Sequence, residues 1–328
     1  MELKEQMETA AERIAAMKRE IGKVIVGQEE TVEQLLWCMI AGGHALLEGI
    51  PGLGKTMLVR TVADAVSLKF SRIQFTPDLM PSDITGTTLI DFGSQGGVMQ
   101  RFQPGPLFGN IILADEINRA TPKTQSALLE AMQEGTVTAG GETRGLPQPF
   151  FVLATQNPIE QEGTYPLPEA QLDRFLLKIG VDYPTREQLK EIVRRTTSAS
   201  LPQAQTVMDG EGLAGLQRLA KQILVGEDVL ELAVGVVMMT HPKEPSAPEP
   251  VKRHVRYGAG PRAVQALVAI GKARALCAGR LHVSWNDLRV AALPVLRHRL
   301  ILNYEAQAMG MTTDEIVGAV ADAAEAGR

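Results

Sequence analysis

Residues 49–56 read GIPGLGKT, which fits G-x-x-x-x-G-K-[ST] with Gly49, Gly54, Lys55 and Thr56 at the fixed positions. Gly49, Gly52 and Gly54 let backbone N–H groups turn inward around an anion without Cβ clashes. Lys55 adds a point charge for the β- and γ-phosphates, and the Thr56 hydroxyl is placed to ligate Mg²⁺. The run MLVRTVADAV that follows reads as a helix whose N-terminal dipole faces the phosphates. A glycine-rich turn with an incidental Lys-Thr does not account for strand, loop and helix arriving in the order this chemistry needs. The stretch therefore predicts binding of a nucleoside triphosphate. Further on, IILADE closes in Asp115 and Glu116. Asp115 at a strand's C-terminal edge can hold the water shell of Mg²⁺. Glu116 could polarise the attacking water as general base, a role worth ~10²–10⁴-fold. Asn157 ends the run FFVLATQNP, where a buried polar side chain needs a partner. A water or a γ-phosphate oxygen would serve, and a turn before Pro158 is the equal alternative.

These residues must be held by a scaffold. Short apolar runs at 44–48, 72–75, 111–114, 150–155 and 176–181 read as strands of a parallel sheet covered on both faces. Helical patterns follow the first (55–66) and third (122–134), giving an α/β doubly wound domain. Two segments interrupt it. LIDFGSQGGVMQRF (89–102) and TVTAGGETRG (136–145) each read as a hairpin around a glycine-rich turn, or as a tolerated surface loop. At the N-terminus Leu3, Met7, Ala10, Ile14, Met17 and Ile21 mark an amphipathic helix with a narrow seam. It predicts packing on the body of the protein or on a neighbouring subunit rather than a coiled coil. After Tyr183-Pro184 the strand signals stop and apolar stripes such as 212–223 and 262–277 read as helices. HPKEPSAPEPVKRH (241–254) reads as a flexible surface loop between them. The expected organisation is an α/β domain over 1–183, with hairpin insertions near 86–105 and 135–149, and a helical lid over 184–328.

Composition narrows the partners. Only 4% of residues are aromatic, against a broad base-stacking surface, and the net charge of −5 does not advertise nucleic acid or an anionic membrane. Apolar runs fall well short of the ~20 residues a membrane span needs, so a cytoplasmic protein without membrane insertion is expected. Cys38 and Cys277 lie in apolar helical patterns and predict buried free thiols. The five histidines show no metal-ligand spacing; His44 opens a buried strand and reads as a satisfied core or edge residue. Val98-Met99 at the first hairpin could grip a client, although methionines mostly fill cores.

The order of phosphate loop, Asp-Glu strand and strand-end Asn resembles an AAA+ ATPase. DEINRATPKTQSALLEAMQEG (115–135) and ATQNPIEQEGTYPLPEAQLDRFLLKI (154–179) resemble the MoxR family, and the two hairpins match the helix-2 insert and pre-sensor-1 hairpin of its clade. The resemblance runs from VIVGQEE at 24–30 to the lid. It implies a central parallel five-stranded sheet, an all-helical lid, and bound ATP with Mg²⁺. It also implies roles for particular residues. Gly49, Pro51, Gly52, Leu53, Gly54, Lys55, Thr56 and Met57 would form the Walker A nucleotide site, and Asp115 with Glu116 the Walker B pair. Ile25, Val26, Gly27 and Gln28 would line the adenine pocket. Asn157 sits where sensor 1 does, Arg174 where the arginine finger does, and Arg262, after Pro261, where sensor 2 does. A finger supplied in trans is worth ~10³–10⁵ in rate, whereas a surface pair of Arg174 with Asp173 or Glu169 would contribute only ~0–1 kcal/mol. The resemblance further implies a homo-oligomeric ring, a hexamer, acting as a chaperone-like remodelling motor. Its clients or adaptors would contain a von Willebrand factor A domain, often in metal-cofactor insertion. The alternatives are a chelatase-type motor subunit, a nucleic-acid motor related to the MCM helicases, and a nucleotide-gated binding module with negligible turnover. GSQGG and TAGGETRG carry little positive charge, which disfavours the nucleic-acid motor.

Overall fold

Runs such as ALLE and FVLATQ carry no polar face, so their strands can be stable only in the middle of a sheet covered on both sides. The structure, a computed structural model, describes residues 3–92, 98–157, 163–197 and 202–327. Its N-terminal part holds α1 (Leu3–Val24), α2 (Glu29–Ala41), β1 (Ala45–Glu48), α3 (Lys55–Ala65), β2 (Phe70–Gln74) and α4 (Pro81–Thr85). Then come the hairpin β3 (Gly86–Phe92) and β4 (Val98–Pro104), β5 (Ile111–Asp115), α5 (Pro122–Glu134), the hairpin β6 (Thr136–Ala139) and β7 (Glu142–Gly145), β8 (Phe151–Gln156), α6 (Glu169–Leu172) and β9 (Leu177–Gly180). The C-terminal part is α7 (Arg186–Thr196), α8 (Gly210–Lys221), α9 (Glu227–Met238), α10 (Glu249–His254), β10 (Val255–Tyr257), α11 (Pro261–Cys277), α12 (Trp285–Leu296), β11 (Ile301–Leu302), α13 (Tyr304–Ala308) and α14 (Thr313–Ala326).

Five strands form one parallel sheet in the order β2-β5-β8-β1-β9. Because all run the same way, the loops after β1, β5 and β8 gather at one edge, the carboxyl edge where open α/β sheets bind ligands. One face of the sheet packs Leu47, Leu113, Leu153 and Ile179 into a cluster that continues through α1 and α2 into α11, α12 and α14. The other face packs Leu46, Ile112, Ala114 and Val152 against α5 and Phe175. The N-terminal helix belongs to the first cluster: Met7, Met17 and Ile21 are each 0% exposed within the chain's own body. Its seam is thus filled without a second copy. At ~1.5–3 kcal/mol per fully buried large side chain, the seam is a sizeable share of the core's stabilisation.

Both hairpins are present. β3 and β4 pair from Gly86↔Pro104 to Phe92↔Val98, a few residues longer than 89–102; the GSQGG turn and the side chains of Val98 and Met99 lie outside the described residues. β6 and β7 turn at Gly140-Gly141, both at positive φ (62° and 82°), the mirror-image turn that matches strand twist. The hairpins touch each other: the Arg144 guanidinium lies 4.0 Å over the Phe102 ring, and a Cβ at Gly140 would sit 2.3 Å from Thr88 Oγ1.

The lid is helical, with one detail that its sequence pattern hid: β10 and β11 form a two-stranded antiparallel ribbon. Residues 241–254 also differ from the flexible loop expected of them. They contain α10, and Ala247, Val251 and His254 are buried. Prolines at 242, 245, 248 and 250 break regular periodicity without preventing burial, because Pro248 caps α10 and Pro250 sits in its first turn, where no N–H is needed.

Candidate functional site

Lys55 opens α3 directly from the loop that leaves β1. Gly52 and Gly54 have φ of 85° and 74°, the left-handed region a side chain would strain. Among the described residues the N–H groups of Gly52, Leu53 and Gly54 donate to no other protein group, leaving donors turned into the loop. Lys55 Nζ folds back to donate to Gly49 O at 2.6 Å. Burial holds the Lys55 amine below its ordinary pKa, against the pull of the Asp115 and Glu116 charges. The loop is tied to the sheet by Gly49 N–H on Gln156 O (3.4 Å) and by Gln28 Nε2 on Leu53 O (2.8 Å).

Asp115 and Glu116 end β5 beside this loop. Thr155, on β8, joins them: its hydroxyl donates to Asp115 Oδ1 (2.6 Å) and accepts from Glu116 N (2.8 Å). Arg72 on β2 donates through Nη2 to Asp115 Oδ2 at 2.7 Å. Gln74 Nε2 donates to Glu116 Oε2 at 2.8 Å, and Arg119 Nε lies 3.1 Å from the same oxygen. Glu116 has φ 56° and ψ 51°, a left-handed conformation costing a non-glycine residue ~1–3 kcal/mol and found mostly at functional sites. Asn157 is buried just beyond the end of β8; Pro158 lies outside the described residues. The loop, Asp115, Glu116 and Asn157 therefore share the carboxyl edge of the sheet.

A cavity of about 260 Å³ adjoins the loop. Ile25, Val26 and Gln28 line it with Gly52, Leu53 and Met57, while Gly27, expected beside them, is not among its lining residues. Its far wall was not foreseen: Tyr183, Pro184, Leu189 and Ile192 come from the chain entering α7 and from α7 itself. The signal was there, since Leu189, Ile192 and Val193 follow helical spacing, yet α7 buries none of its residues. Its apolar side faces a space of the size a flat ring would fill.

Arg174 and Arg262 lie elsewhere. Arg174 precedes β9, which pairs in register with β1 from Ala45↔Leu177 to Glu48↔Gly180. It therefore sits at the amino edge, separated from the phosphate loop by about 10 Å of strand at ~3.3 Å per residue. Arg262 begins α11 on that same edge, its Nη1 3.7 Å from Asp173 Oδ2. Both arginines line a cleft of about 330 Å³ together with Gln133, Gln265 and Arg299. The surface pairing of Arg174 with Asp173 or Glu169 does not occur among the described residues; the Asp173 carboxylate instead meets Arg299 Nε at 2.8 Å.

Buried histidines stand behind this edge. His44 Nδ1 accepts from Val152 N–H and its Nε2 donates to Met132 O, each at 3.0 Å, so the ring is neutral and satisfied. Burial lowers its pKa to about 4, the Met132 bond opposing. His298 Nε2 meets Phe175 O at 3.0 Å, and burial with the Arg299 charge holds it well below its usual pKa. Both cysteines are free; burial raises Cys277 to about 12 and Cys38 further. Among the described residues no cluster of three or more His, Cys, Asp or Glu could hold a metal, and no helix is long and apolar enough to cross a membrane.

Comparison with known proteins agrees with this geometry. Residues 44–177 match the family model of the ATPase family associated with various cellular activities (AAA), and residues 249–320 that of the AAA lid domain. Chaperone MoxR1 of Mycobacterium tuberculosis is 45% identical over 301 residues, 92% of this chain and 79% of the relative. Protein MoxR of Methylorubrum extorquens is 31% identical, with 88% of this chain and 87% of the relative covered. A solved structure of a proposed ATPase from Cytophaga hutchinsonii superposes with a TM-score of 0.89 at 41% identity, covering 96% of this chain and 95% of that one.

Proposed function

This chain belongs to the MoxR family of AAA+ ATPases, and from that membership we propose that it hydrolyses ATP at the interfaces of a homo-oligomeric ring, a hexamer, to remodel client proteins. The α/β domain spans 1–183 and the lid 184–328 in this reading. The base of ATP fills the cavity between Ile25–Gln28 and α7. The free N–H groups of the loop and Lys55, released from Gly49 O, hold the phosphates. These donors and the adjacent Thr56 hydroxyl and Asp115 carboxylate fit a Mg²⁺–triphosphate, whose metal supplies charge neutralisation for the leaving phosphates. Glu116 takes the proton of the attacking water and Asn157 orients it. For Glu116 to act, its oxygen must exchange Gln74 and Arg119 for that water.

The observation that carries the reading is the placement of Arg174 and Arg262 at the amino edge of a sheet whose carboxyl edge holds the phosphate loop. Neither can serve the nucleotide of its own subunit across that thickness, so both would act on a neighbour's. The lid arginine thus works in trans with the finger. Clients or adaptors carrying a von Willebrand factor A domain, and a role in metal-cofactor insertion, follow from family likeness. A nucleic-acid motor fits less well: the hairpins' nearest cations are Arg101 and Arg144, and the second of these is committed to Phe102 and Glu142. The test is a trap. Glu116→Gln should bind ATP without cleaving it and retain a protein client in an ATP-dependent manner. Salt-sensitive retention of DNA or RNA instead would replace the remodelling reading with a nucleic-acid motor.

A further inference from the structure

We propose that Asp173 is a positioning residue for the arginine pair offered to the neighbouring subunit, and that Arg299 is the lid's grip on it; the proposal rests on the reading that Arg174 and Arg262 act in trans. Asp173 and Arg174 are adjacent, and their side chains do different things. The Asp173 carboxylate is divided: Oδ1 accepts from Arg299 Nε at 2.8 Å, and Oδ2 faces Arg262 Nη1 at 3.7 Å. Arg174, beside a carboxylate already engaged twice, makes no ion pair among the described residues and lines the open cleft.

Arg299 cannot swing. Its side chain is 3% exposed, and a guanidinium so buried must keep its charge partner. Its remaining donors close on backbone: Nη2 on Phe175 O at 2.7 Å, Nη1 on Leu176 O at 3.3 Å and on Val295 O. His298, the preceding residue, bonds the same Phe175 O. The end of α12 is thereby fixed to residues 173–176, the segment that presents Arg174. Arg262 is on α11, another lid helix, and among the described residues its only ion pair is with Asp173. One carboxylate thus sets the spacing between a core arginine and a lid arginine, anchored by a third whose buried guanidinium forms part of the cleft's wall. Residues that hold a reacting constellation in place matter steeply, since a misplacement of ~1 Å can cost ~10²-fold in rate.

Three single variants, Arg174→Ala, Asp173→Asn and Glu116→Gln, test this in the full chain by ATPase rate, ATP affinity and mixing of subunits. Asp173→Asn should lower kcat by about 10–100-fold while leaving ATP affinity within about twofold, because its own nucleotide edge is untouched. Mixed with Glu116→Gln subunits, which keep Asp173, Arg174 and Arg262, it should regain activity that neither parent has. The doubly substituted chain, carrying both Asp173→Asn and Glu116→Gln, should restore to Arg174→Ala about 10–100-fold less activity than Glu116→Gln alone restores. Asp173→Glu keeps the charge beside buried Arg299 and serves if the amide does not fold; it should show the same split and the same recovery, with a smaller loss. A full rate for both Asp173 variants would overturn the proposal, as would a loss that mixing does not recover. Should Asp173→Asn be normal while Arg174→Ala is dead and recovered by mixing, the proposal falls and the in-trans reading stands. A normal rate for Arg174→Ala would bring down both.

Discussion

At the carboxyl edge of the sheet, the acidic pair Asp115 and Glu116 is held by Arg72 and Arg119, whose side chains are 46% and 39% exposed. At the amino edge, Asp173 is held by an arginine that is 3% exposed. Ion pairs open to solvent contribute ~0–1 kcal/mol, whereas removing one partner of a buried pair costs ~3–5 kcal/mol. The same chemistry, arginine on carboxylate, is therefore weak at one edge and strong at the other. An arriving Mg²⁺–nucleotide can displace Arg72 and Arg119 at small cost. Nothing of comparable strength can displace Arg299. One edge is built to change partners during turnover, and the other to keep its geometry while doing so.

The comparison can be broken first at its far end. Arg174→Ala should lower kcat by ~10³–10⁵ with ATP affinity retained, measured as phosphate release at saturating ATP. A loss of only a few-fold would mean that the amino edge does no chemistry. At the carboxyl edge Glu116→Gln should cost ~10²–10⁴ in the same assay, with nucleotide still bound. Acid should separate the edges by stability. Between pH 6.5 and about 4 the unfolded chain binds a proton at His44 that the folded chain refuses. Stability is then complete above pH 6.5 and falls with pH through that window, by ~1.4 kcal/mol per unit for each such histidine. His298 adds to the slope, so thermal unfolding between pH 7 and 5 should flatten on His298→Asn. An unchanged slope would show that His298 is not neutral in the fold. The smallest effect belongs to Arg72→Gln, which should lower the Mg²⁺ needed for half-maximal ATP binding by no more than ~fivefold, the ceiling for an exposed pair. A larger change would make that pair more than a surface contact.

Local patterns carried much of this in the sequence. The phosphate loop needs only its own spacing, and the inner strands β1, β5 and β8 announce themselves because each is apolar on both faces. What could not be read depends on register. Arg72, Gln74 and Thr155 meet Asp115 and Glu116 only because β2 aligns Gln74 with Asp115 and β8 runs beside β5. No local rule distinguishes Arg72 in FSRIQ from any strand arginine facing water. Arg299 is harder still: a charged residue in HRL is expected outside, and its burial follows from an acceptor 126 residues away. The Pro-rich stretch 241–254 misled for the opposite reason, since loop-forming residues there surround three buried side chains.

The N-terminal helix ends at Val24, which lines the cavity beside the phosphate loop, and α1 packs on both α3 and α11. The first of these starts at Lys55 and the second at Pro261, next to Arg262. One apolar seam thus binds the helix behind the phosphates to the helix behind the lid arginine, and the cluster it completes runs unbroken from Met7 to Ala324. In calorimetric terms the two should share a single endotherm, and a chain shortened past Val24 should melt in two.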